Sequence, residues 1–471
     1  MIWRNKMKKK ENPYYNILSF AQKSEKCEKQ VKSHSKSEKK ASSEPCATSP
    51  FPTNEKLSGM IKLLRDPTGK LYTEGTYKDF YRMTRYRFDT LSRLLIKNSR
   101  LGEYHTLKQI KQISQKVGVV TFGFLNKKRR TRNGHIMLIL EDKTGEINAL
   151  IHSRNQDLIN FSKSLLVDSL ISVKGTYVPS NREEDGIIFV NSMNDIGIPS
   201  DKNLHYSSED EAVALLSDLH IGSREFNSQY LERFIQFLHG EYGNSHLREL
   251  GRKVKYILIN GDLIDGIGVY PNQFKDLILK DLHQQYERVY KYFKLIPDDV
   301  HIVYSPGNHE PVRNAIPRPT VFKKYIGNLL DLNISFVGNP AYVKIRDTIF
   351  LLYHGDSILD FTLEIPQLEN NNPCDAMEVM LQKRHMAPMF GKKTQIAPTE
   401  KDWLIINIIP DVFHTGHMHV NQIKKMENVL MINSGTMQAQ TDFMETFGIH
   451  PTPGIVPIVE LKNLQTTEVH F

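Results

Sequence analysis

The sequence has 471 residues, of which 39% are hydrophobic, so it has room for two or three domains and a large core. Its three cysteines, Cys27, Cys46 and Cys374, form no CxxC pair, which argues against a disulfide framework or a cysteine-based zinc site. No apolar run approaches the ~18–20 residues of a membrane span, and the basic first residues are not followed by the apolar stretch of a signal sequence. We therefore expect a cytoplasmic protein with no membrane partner.

The formal net charge of +9 is concentrated near the start of the chain, where residues 1–50 carry twelve Lys or Arg against five Glu. A basic excess favours a polyanionic partner such as nucleic acid. A tail rich in Lys and Ser is also typical of a solvated, disordered segment, and for the tail itself we favour this interpretation. Residues 1–55 are predicted to be a disordered basic tail, with a short helix near residues 14–20.

Residues 56–111 are predicted to form a helical N-terminal segment. From Tyr77 onward, apolar side chains recur at the spacing of an amphipathic helix: Phe80, Met83, Phe88, Leu91 and Leu95. This helix leads into the first domain.

Residues 112–200 show the alternating pattern of β-strands. A short helical patch separates the third from the fourth of five apolar runs, which lie at 117–125, 135–142, 146–153, 169–178 and 186–193. Five strands joined by turns, with one helical interruption, fit an all-β oligonucleotide/oligosaccharide-binding (OB) barrel.

The first hairpin of this predicted barrel carries five basic residues, Lys127, Lys128, Arg129, Arg130 and Arg132. OB barrels often contact a nucleic-acid backbone through such a loop. A solvated hairpin tip has the same composition, and no aromatic residues interleave to provide a stacking platform. Both interpretations stay open.

From residue 211 to 471, apolar strands and helices alternate, which predicts an α/β sandwich with helices on its sheet faces. The clearest helical pattern covers 274–294, with one apolar stripe formed by Phe274, Leu277, Ile278, Leu282, Tyr286, Val289, Tyr290 and Phe293.

Five short polar motifs follow apolar runs of this second domain. In chain order they are Asp218-Leu219-His220, Gly261-Asp262, Gly307-Asn308-His309-Glu310, His354-Gly355 and Gly416-His417-Met418-His419. A lone Gly-Asp is usually a turn and a lone His is more often structural than a ligand. Because loops converge at the carboxyl ends of strands in α/β folds, all five motifs together indicate one site.

Carboxylate, amide and imidazole ligands without thiolates suit Mn²⁺, Zn²⁺, Fe²⁺ or Mg²⁺. Residues two apart on an extended segment point to the same side, so Asp218 and His220 can bind one ion together. The same spacing recurs at His417 and His419. Seven ligands are too many for one ion, whereas two ions roughly 3.5–4 Å apart can share them, with Asp262 as the bridge.

This set of motifs resembles the signature of the calcineurin-like metallophosphoesterases. The resemblance implies that one ion binds Asp218, His220, Asp262 and His419, and the other Asp262, Asn308, His354 and His417. His309 would be the catalytic histidine beside the scissile phosphate, oriented by Glu310. Asp265 would be structural or support the ligands, and we expect His414 to be structural.

Longer blocks narrow the resemblance. Protein phosphatases of this superfamily have an arginine where Gly266 stands here. The blocks 261–273, 305–319, 383–391, 410–422 and 432–443, and the order of an OB barrel before a phosphoesterase domain, resemble the small subunits of the archaeal family D DNA polymerases. That resemblance implies a 3′→5′ proofreading exonuclease, Mn²⁺ as the most suitable ion, and a heterodimer with a large catalytic polymerase subunit.

The expected DNA partner is a single-stranded or mismatched 3′ end, and a sliding clamp would be reached through the complex. Two alternatives stay open at this point. One is an inactive scaffold subunit, as in the related eukaryotic subunits that have lost metal ligands. The other is a stand-alone phosphodiesterase.

Overall fold

The computed structural model of the protein describes residues 49–52, 59–99, 101–180, 186–446 and 448–471. The predicted tail helix near residues 14–20 lies outside them. The chain forms two compact units. The first contains Gly75–Ile196 and Glu400–Asp402, and the second contains the described part of Cys46–Glu74 with Gly197–Thr399 and Trp403–Phe471. In the described part of the chain, no helix has the length and apolarity needed to cross a membrane.

The strands are β1 (Ile61–Arg65), β2 (Val117–Arg130), β3 (Ile136–Asp142), β4 (Gly145–Ile151), β5 (Leu170–Val178), β6 (Ile187–Asn194), β7 (Ala212–Leu216), β8 (Val254–Asn260), β9 (His301–Ser305), β10 (Ile334–Phe336), β11 (Ala341–Ile345), β12 (Thr348–Leu352), β13 (Val412–Thr415), β14 (Gln422–Met426), β15 (Val429–Asn433), β16 (Ile455–Glu460) and β17 (Thr466–His470). The α-helices are α1 (Tyr77–Ser99), α2 (Leu107–Lys111), α3 (Gln156–Lys163), α4 (Ser228–Leu238), α5 (Ser245–Lys253), α6 (Leu282–Phe293), α7 (Lys323–Ile326), α8 (Ile358–Glu364), α9 (Pro373–Lys383) and α10 (Asp442–Thr446). Two 3₁₀ turns span Gln273–Lys275 and Gly327–Asp331.

In the first unit, five strands close into a barrel in the order β2-β3-β4-β6-β5, and α3 connects β4 to β5. The prediction of a five-stranded barrel with one helical interruption is confirmed. Alternate residues such as Leu138 and Leu140 are fully buried in its core. Helix α1 buries Met83, Leu91 and Leu95 at the predicted spacing, because one apolar stripe of the helix is covered.

Strand β1 lies inside the segment that was predicted to be helical. It belongs to the second unit, where it pairs antiparallel with β11 and places Ile61 opposite Ile345. Five residues offer too short a pattern for the sequence to separate an edge strand from the start of a helix.

The second unit contains two mixed six-stranded sheets. Their orders are β1-β11-β12-β13-β15-β14 and β10-β9-β8-β7-β16-β17. The sheets share one apolar core, to which β7 contributes Val213 and Leu215, whereas Ala214 and Leu216 lie in the core beneath helices α4 and α6. Burial on both faces explains why these strands are apolar throughout.

The helix predicted over 274–294 is shorter than expected. Helix α6 begins at Leu282, because the Asp281 carboxylate accepts a hydrogen bond from the Gln284 amide at 3.0 Å and caps the helix. Upstream, Phe274 and Ile278 are 56% and 64% exposed, so they do not belong to a buried stripe.

Candidate metal centre

The predicted ligands follow the carboxyl ends of parallel strands in both sheets of the second unit. Asp218 follows β7, Asp262 follows β8, and Asn308 with His309 follows β9. In the other sheet, His354 follows β12, and the Gly-His-Met-His motif follows β13. The two sheets therefore bring all five motifs to one edge, as expected for loops at strand ends.

Five of these residues have left-handed backbone conformations, with positive φ angles of 55° at Asp218, 51° at His220, 52° at Asp262, 68° at His417 and 60° at His419. The expectation that Asp218 and His220 lie on an extended segment is therefore wrong. Their amides instead donate to the carbonyls of Gly261 and Asp262, both at 3.0 Å. A left-handed non-glycine residue costs about 1–2 kcal/mol, so the surrounding fold must stabilise this geometry.

One group of possible metal ligands contains Asp218, His220 and His419. The two imidazole Nε2 atoms are 3.1 Å apart, and the Asp218 Oδ1 atom is 3.3 Å from Nε2 of His419. The other carboxylate oxygen of Asp218 accepts hydrogen bonds from the Ser217 hydroxyl and the His417 amide. Only Oδ1 is left for an ion, and among the described residues it has no hydrogen-bond donor.

A second group contains Asp262, His354 and His417. Nε2 of His354 is 3.2 Å from Oδ2 of Asp262, 3.1 Å from the side-chain oxygen of Asn308 and 3.3 Å from Nδ1 of His417. His354 therefore lies within contact distance of the other three side chains expected to bind the second ion.

Asp262 lies between the two groups. Its Oδ1 atom accepts a hydrogen bond from the His309 amide at 2.9 Å, which fixes the carboxylate. Its Oδ2 atom is 3.2 Å from Nε2 of His354 and 3.9 Å from Nε2 of His220. This position is the one required of a carboxylate shared by two ions.

A third combination, His220, Asp262 and His309, could also bind an ion. Nε2 of His309 is 3.8 Å from Oδ2 of Asp262. The geometry alone therefore does not separate a ligand from a catalytic role for His309, and the catalytic assignment stays a prediction.

Three imidazoles are oriented by hydrogen bonds from Nδ1. His220 contacts the Asp265 carboxylate at 2.9 Å, His354 donates to the Asn260 carbonyl at 2.8 Å, and His309 donates to the Asp265 carbonyl at 2.6 Å. Because Nδ1 is used in this way, Nε2 of each ring is directed to the cluster. Gln273 in turn donates to the carbonyl and carboxylate of Asp265.

The resemblance implied that Glu310 would orient His309, but the structure directs the Glu310 carboxylate to other groups. Its carboxylate accepts hydrogen bonds from the amides of Asp262, Leu263 and Gly307 and from the Tyr304 hydroxyl, at 2.6–3.0 Å. Burial and the nearby Asp262 carboxylate raise the pKa of Glu310 to about 7. Glu310 thus fixes two of the ligand-bearing loops, those after β8 and β9. The Asp265 carbonyl, not Glu310, accepts the hydrogen bond from Nδ1 of His309.

The cluster attracts positive charge. Burial disfavours the charged forms of His220 and His354, yet neighbouring aspartates raise their pKa values to about 10. At His309 and His417 burial and a neighbouring histidine prevail and lower the pKa, to about 4 for His417. Burial likewise opposes ionisation of Asp218 and Asp262, but the adjacent histidines hold both pKa values below the ordinary range. The negative charge of the same aspartates would also stabilise a divalent cation, so the donor set and its electrostatics fit a metal ion.

Glycines permit the close approach of the loops. A Cβ atom on Gly307 would lie 2.2 Å from Oδ1 of Asp262, and one on Gly261 would lie 2.2 Å from Nδ1 of His354. Gly261 also has a φ of 94°, which favours glycine. The glycines of these motifs are therefore required by packing around the cluster.

An open cavity of about 210 Å³ borders the cluster. Its polar side includes Asn308, His309, His417 and His419. The remaining lining includes Met418 of the last motif, the polar Gln438 and Thr441, and five residues outside the five motifs: Val269, Tyr270, Leu359, Met444 and Ile449.

Two further predictions concern His414 and the basic residues of the barrel unit. His414 is buried, with Nε2 2.7 Å from the Ser434 hydroxyl, which is consistent with a structural role. In the barrel unit, the basic residues 127–130 lie on strand β2 itself, and Lys128 donates to the carbonyls of Ser162 and Leu165. Lys128 is thus engaged within the unit, whereas Lys127, Arg129, Arg130 and Arg132 are exposed.

Residues 213–424 match the B-subunit family of DNA polymerases alpha and epsilon. The DNA polymerase II small subunit of Archaeoglobus fulgidus is 36% identical over 420 residues, which cover 88% of this chain and 83% of that protein. The chain belongs to the family of archaeal DNA polymerase II small subunits. The predicted resemblance to family D small subunits is confirmed.

Other members of the family give similar values. The small subunit of Methanothermobacter thermautotrophicus is 34% identical over 85% of this chain and 81% of its own length. That of Methanocaldococcus jannaschii is 36% identical over 85% of this chain and 66% of its own length. The similarity extends well beyond the metal-ligand motifs, since each match exceeds the 213–424 region.

Proposed function

We propose that the second unit is a metallophosphoesterase-type 3′→5′ exonuclease that uses two divalent ions to hydrolyse DNA phosphodiester bonds. The observation that supports this most strongly is the pair of adjacent His/Asp groups beside an open cavity, with Asp262 of one group 3.9 Å from His220 of the other. Two ions at such a site are suited to in-line displacement at phosphorus.

One ion would bind Asp218, His220, Asp262 and His419, and the other Asp262, Asn308, His354 and His417. Oxygen and imidazole donors without thiolates suit Mn²⁺ best, with Zn²⁺, Fe²⁺ and Mg²⁺ as alternatives. The ions would supply charge neutralisation at the phosphate and activation of water.

The chain's own groups then act on the substrate. His309, with Nδ1 tied to the Asp265 carbonyl, presents Nε2 to the phosphate that enters the cavity. A water oxygen bonds to phosphorus while the bond from phosphorus to the 3′ oxygen of the penultimate nucleotide breaks. His309, protonated at Nε2 as well as at Nδ1, delivers the Nε2 proton to that departing oxygen, and the proton released by the attacking water restores it. The products are a nucleoside 5′-monophosphate and a strand shortened by one residue.

The family name indicates a large catalytic partner, and we propose a heterodimer with that polymerase subunit. A frayed mismatched end is single-stranded more often than a paired end, so a site that accepts only a single-stranded 3′ terminus selects errors. A sliding clamp would be reached through the complex. We propose the same domain boundaries as the sequence did, with the OB barrel over 112–200 and the phosphoesterase domain over 211–471.

The test is Mn²⁺-dependent degradation of a 5′-labelled single-stranded DNA by the full chain, alone and with the large subunit. We expect a ladder that shortens from the 3′ end. His309→Ala should retain bound metal but lose roughly 10²–10⁴-fold in rate. The matched control His246→Ala, at an exposed position of α5, should retain both.

Other outcomes would select the alternatives. If no DNA is cleaved even in the heterodimer and no ion is bound, the chain is an inactive scaffold. If bis(p-nitrophenyl) phosphate is hydrolysed while DNA is not, it is a phosphodiesterase of another kind. Loss of metal from His309→Ala would make His309 a ligand rather than a proton donor.

A further inference from the structure

We propose that the apolar wall of the cavity is the seat of the unpaired 3′-terminal nucleobase, with Tyr270 and Leu359 as its specificity-determining contacts. This inference rests on the proposed exonuclease function and names the part of the substrate that the wall recognises.

The cavity is chemically divided. Its lining includes polar residues of the cluster, Asn308, His309, His417 and His419, where a phosphate would be processed. The wall is formed by Val269, Tyr270, Leu359, Met444 and Ile449. None of these five side chains carries a charge, so the wall suits an apolar ring and not a second phosphate.

The wall is accessible and adjacent to the reacting position. Val269, Tyr270 and Leu359 are half-buried, whereas Met444 and Ile449 are 5% and 7% exposed and support the wall from behind. The Tyr270 ring centroid is 6.3 Å from that of His309. A nucleotide whose phosphate contacts His309 therefore has Tyr270 within reach of its base.

The segment that carries Tyr270 is fixed by hydrogen bonds. Its hydroxyl donates to the Asp276 carboxylate at 3.2 Å, and the Val269 amide donates to the Gln273 side chain at 2.8 Å. Gln273 also binds Asp265, which orients His220 and His309. The wall is thus preorganised by the same residues that position the catalytic histidine.

A base is a better occupant than another apolar group for two reasons. An exonuclease must accept all four bases, and stacking on an apolar or aromatic surface is tolerant of sequence because every base has a π-face. The cavity volume of about 210 Å³ is also far above the ~10–15 Å³ needed to hold one water, so a ring system can enter it. A paired base must leave its duplex first, which gives the preference for frayed ends.

The experiment compares two 5′-labelled single-stranded DNAs that differ only in the 3′-terminal residue, which is either a normal thymidine or an abasic tetrahydrofuran. Removal of that residue is measured in single-turnover reactions with Mn²⁺ and the full chain. We expect the wild type to remove the thymidine about tenfold faster, the effect of one stacking contact.

Tyr270→Ala and Leu359→Ala should each bring the ratio of the two rates toward one, and Tyr270→Phe should keep it because the ring is retained. The matched control is Leu363→Ala, since Leu363 lies on the same helix α8, is 62% exposed and is absent from the cavity lining. It should show the wild-type ratio.

Failure of the base seat and failure of the exonuclease give different results. Equal wild-type rates on both substrates would overturn the base seat while the exonuclease stands. A wild-type preference that persists in Tyr270→Ala and Leu359→Ala would place the seat elsewhere. If the wild type degrades neither DNA, the proposed function itself is lost, and the base seat with it.

Discussion

The His/Asp cluster of the second unit and the basic end of β2 in the barrel unit are both rich in polar side chains, but they are built differently. Asp218, Asp262 and His354 are at most 1% exposed, and backbone groups fix their positions. Arg129 and Arg130 are exposed at the end of a strand. Buried polar groups require several partners, whereas exposed cations can adjust to whatever binds them.

The two constructions differ in how strongly function depends on each residue. A buried cluster in strained loops tolerates little change, since every member supports another. A surface patch acts through summed charge, so single substitutions have small effects. Four variants test that contrast, in decreasing order of expected effect.

The largest effect is expected for Asp262→Ala. Its carboxylate lies between the two ligand groups and is the proposed bridge, so we expect loss of both ions and of hydrolysis to background. Metal content by mass spectrometry and the DNA degradation assay measure this. Asp298→Ala, at an exposed position, is the control and should match the wild type. Full retention of both ions by Asp262→Ala would remove the bridging assignment.

Gly307→Ala tests the packing without deleting a ligand. The added methyl group would lie 2.2 Å from Oδ1 of Asp262 and 2.7 Å from Nε2 of His354. We expect at least a tenfold loss of activity and a loss of about 1–3 kcal/mol in unfolding free energy, the usual cost of overpacking. Gly118→Ala is the control, because nothing lies within 4 Å of its Cβ position. Wild-type activity in Gly307→Ala would show that the loops adjust freely.

Arg129→Ala combined with Arg130→Ala tests the basic end of β2. If these residues contact phosphates, affinity for single-stranded DNA falls several-fold. The slope of log affinity against log salt concentration also becomes less steep, by roughly one to two released counterions. Fluorescence anisotropy at several salt concentrations measures both. Arg233→Ala, on the exposed face of α4, is the control. An unchanged salt slope would favour a solvated hairpin.

The smallest effect concerns an ion pair of intermediate exposure. Glu211 accepts hydrogen bonds from Arg346 at 2.6 and 2.8 Å, and these hold its pKa below the ordinary value of 4.5, although burial opposes them. Glu211→Gln should cost about 1 kcal/mol of unfolding free energy at neutral pH. Because the folded-state pKa is lowered, this contribution is present above pH 4.5 and disappears as the pH falls through the folded-state pKa. Denaturant titrations of both proteins at several pH values check this, and a constant difference in acid would contradict it.

Much of the fold and of the ligand cluster follows from local sequence. Apolar runs ending in Asp218, Asp262 and His354 predict strands whose ends converge, and the structure brings these side chains together. The left-handed conformation of Asp218 was not foreseeable, because it depends on a hydrogen bond from its amide to Gly261, 43 residues away. The apolar wall of the cavity was missed because its residues come from distant parts of the chain, at 269–270, 359, 444 and 449.

In two places, hydrogen bonds of single carboxylates gave a structure that the sequence pattern did not predict. The apolar spacing from Phe274 to Phe293 suggested one helix, but the capping carboxylate of Asp281 starts the helix at Leu282, eight residues later. Glu310 follows His309 in sequence, yet its carboxylate is directed to backbone amides. Neighbours in sequence were thus a poor guide to hydrogen-bond partners at this site.

Asp265 joins two tasks in one residue. Its side chain contacts His220 and its main-chain carbonyl accepts the proton of His309. A backbone shift at Asp265 would therefore displace both rings at once, and under the proposed function it would disturb a metal ligand and the proton donor together. Replacement of the Asp265 side chain alters only the contact with His220, so under the same proposal ion affinity could change while His309 keeps its hydrogen bond to the carbonyl.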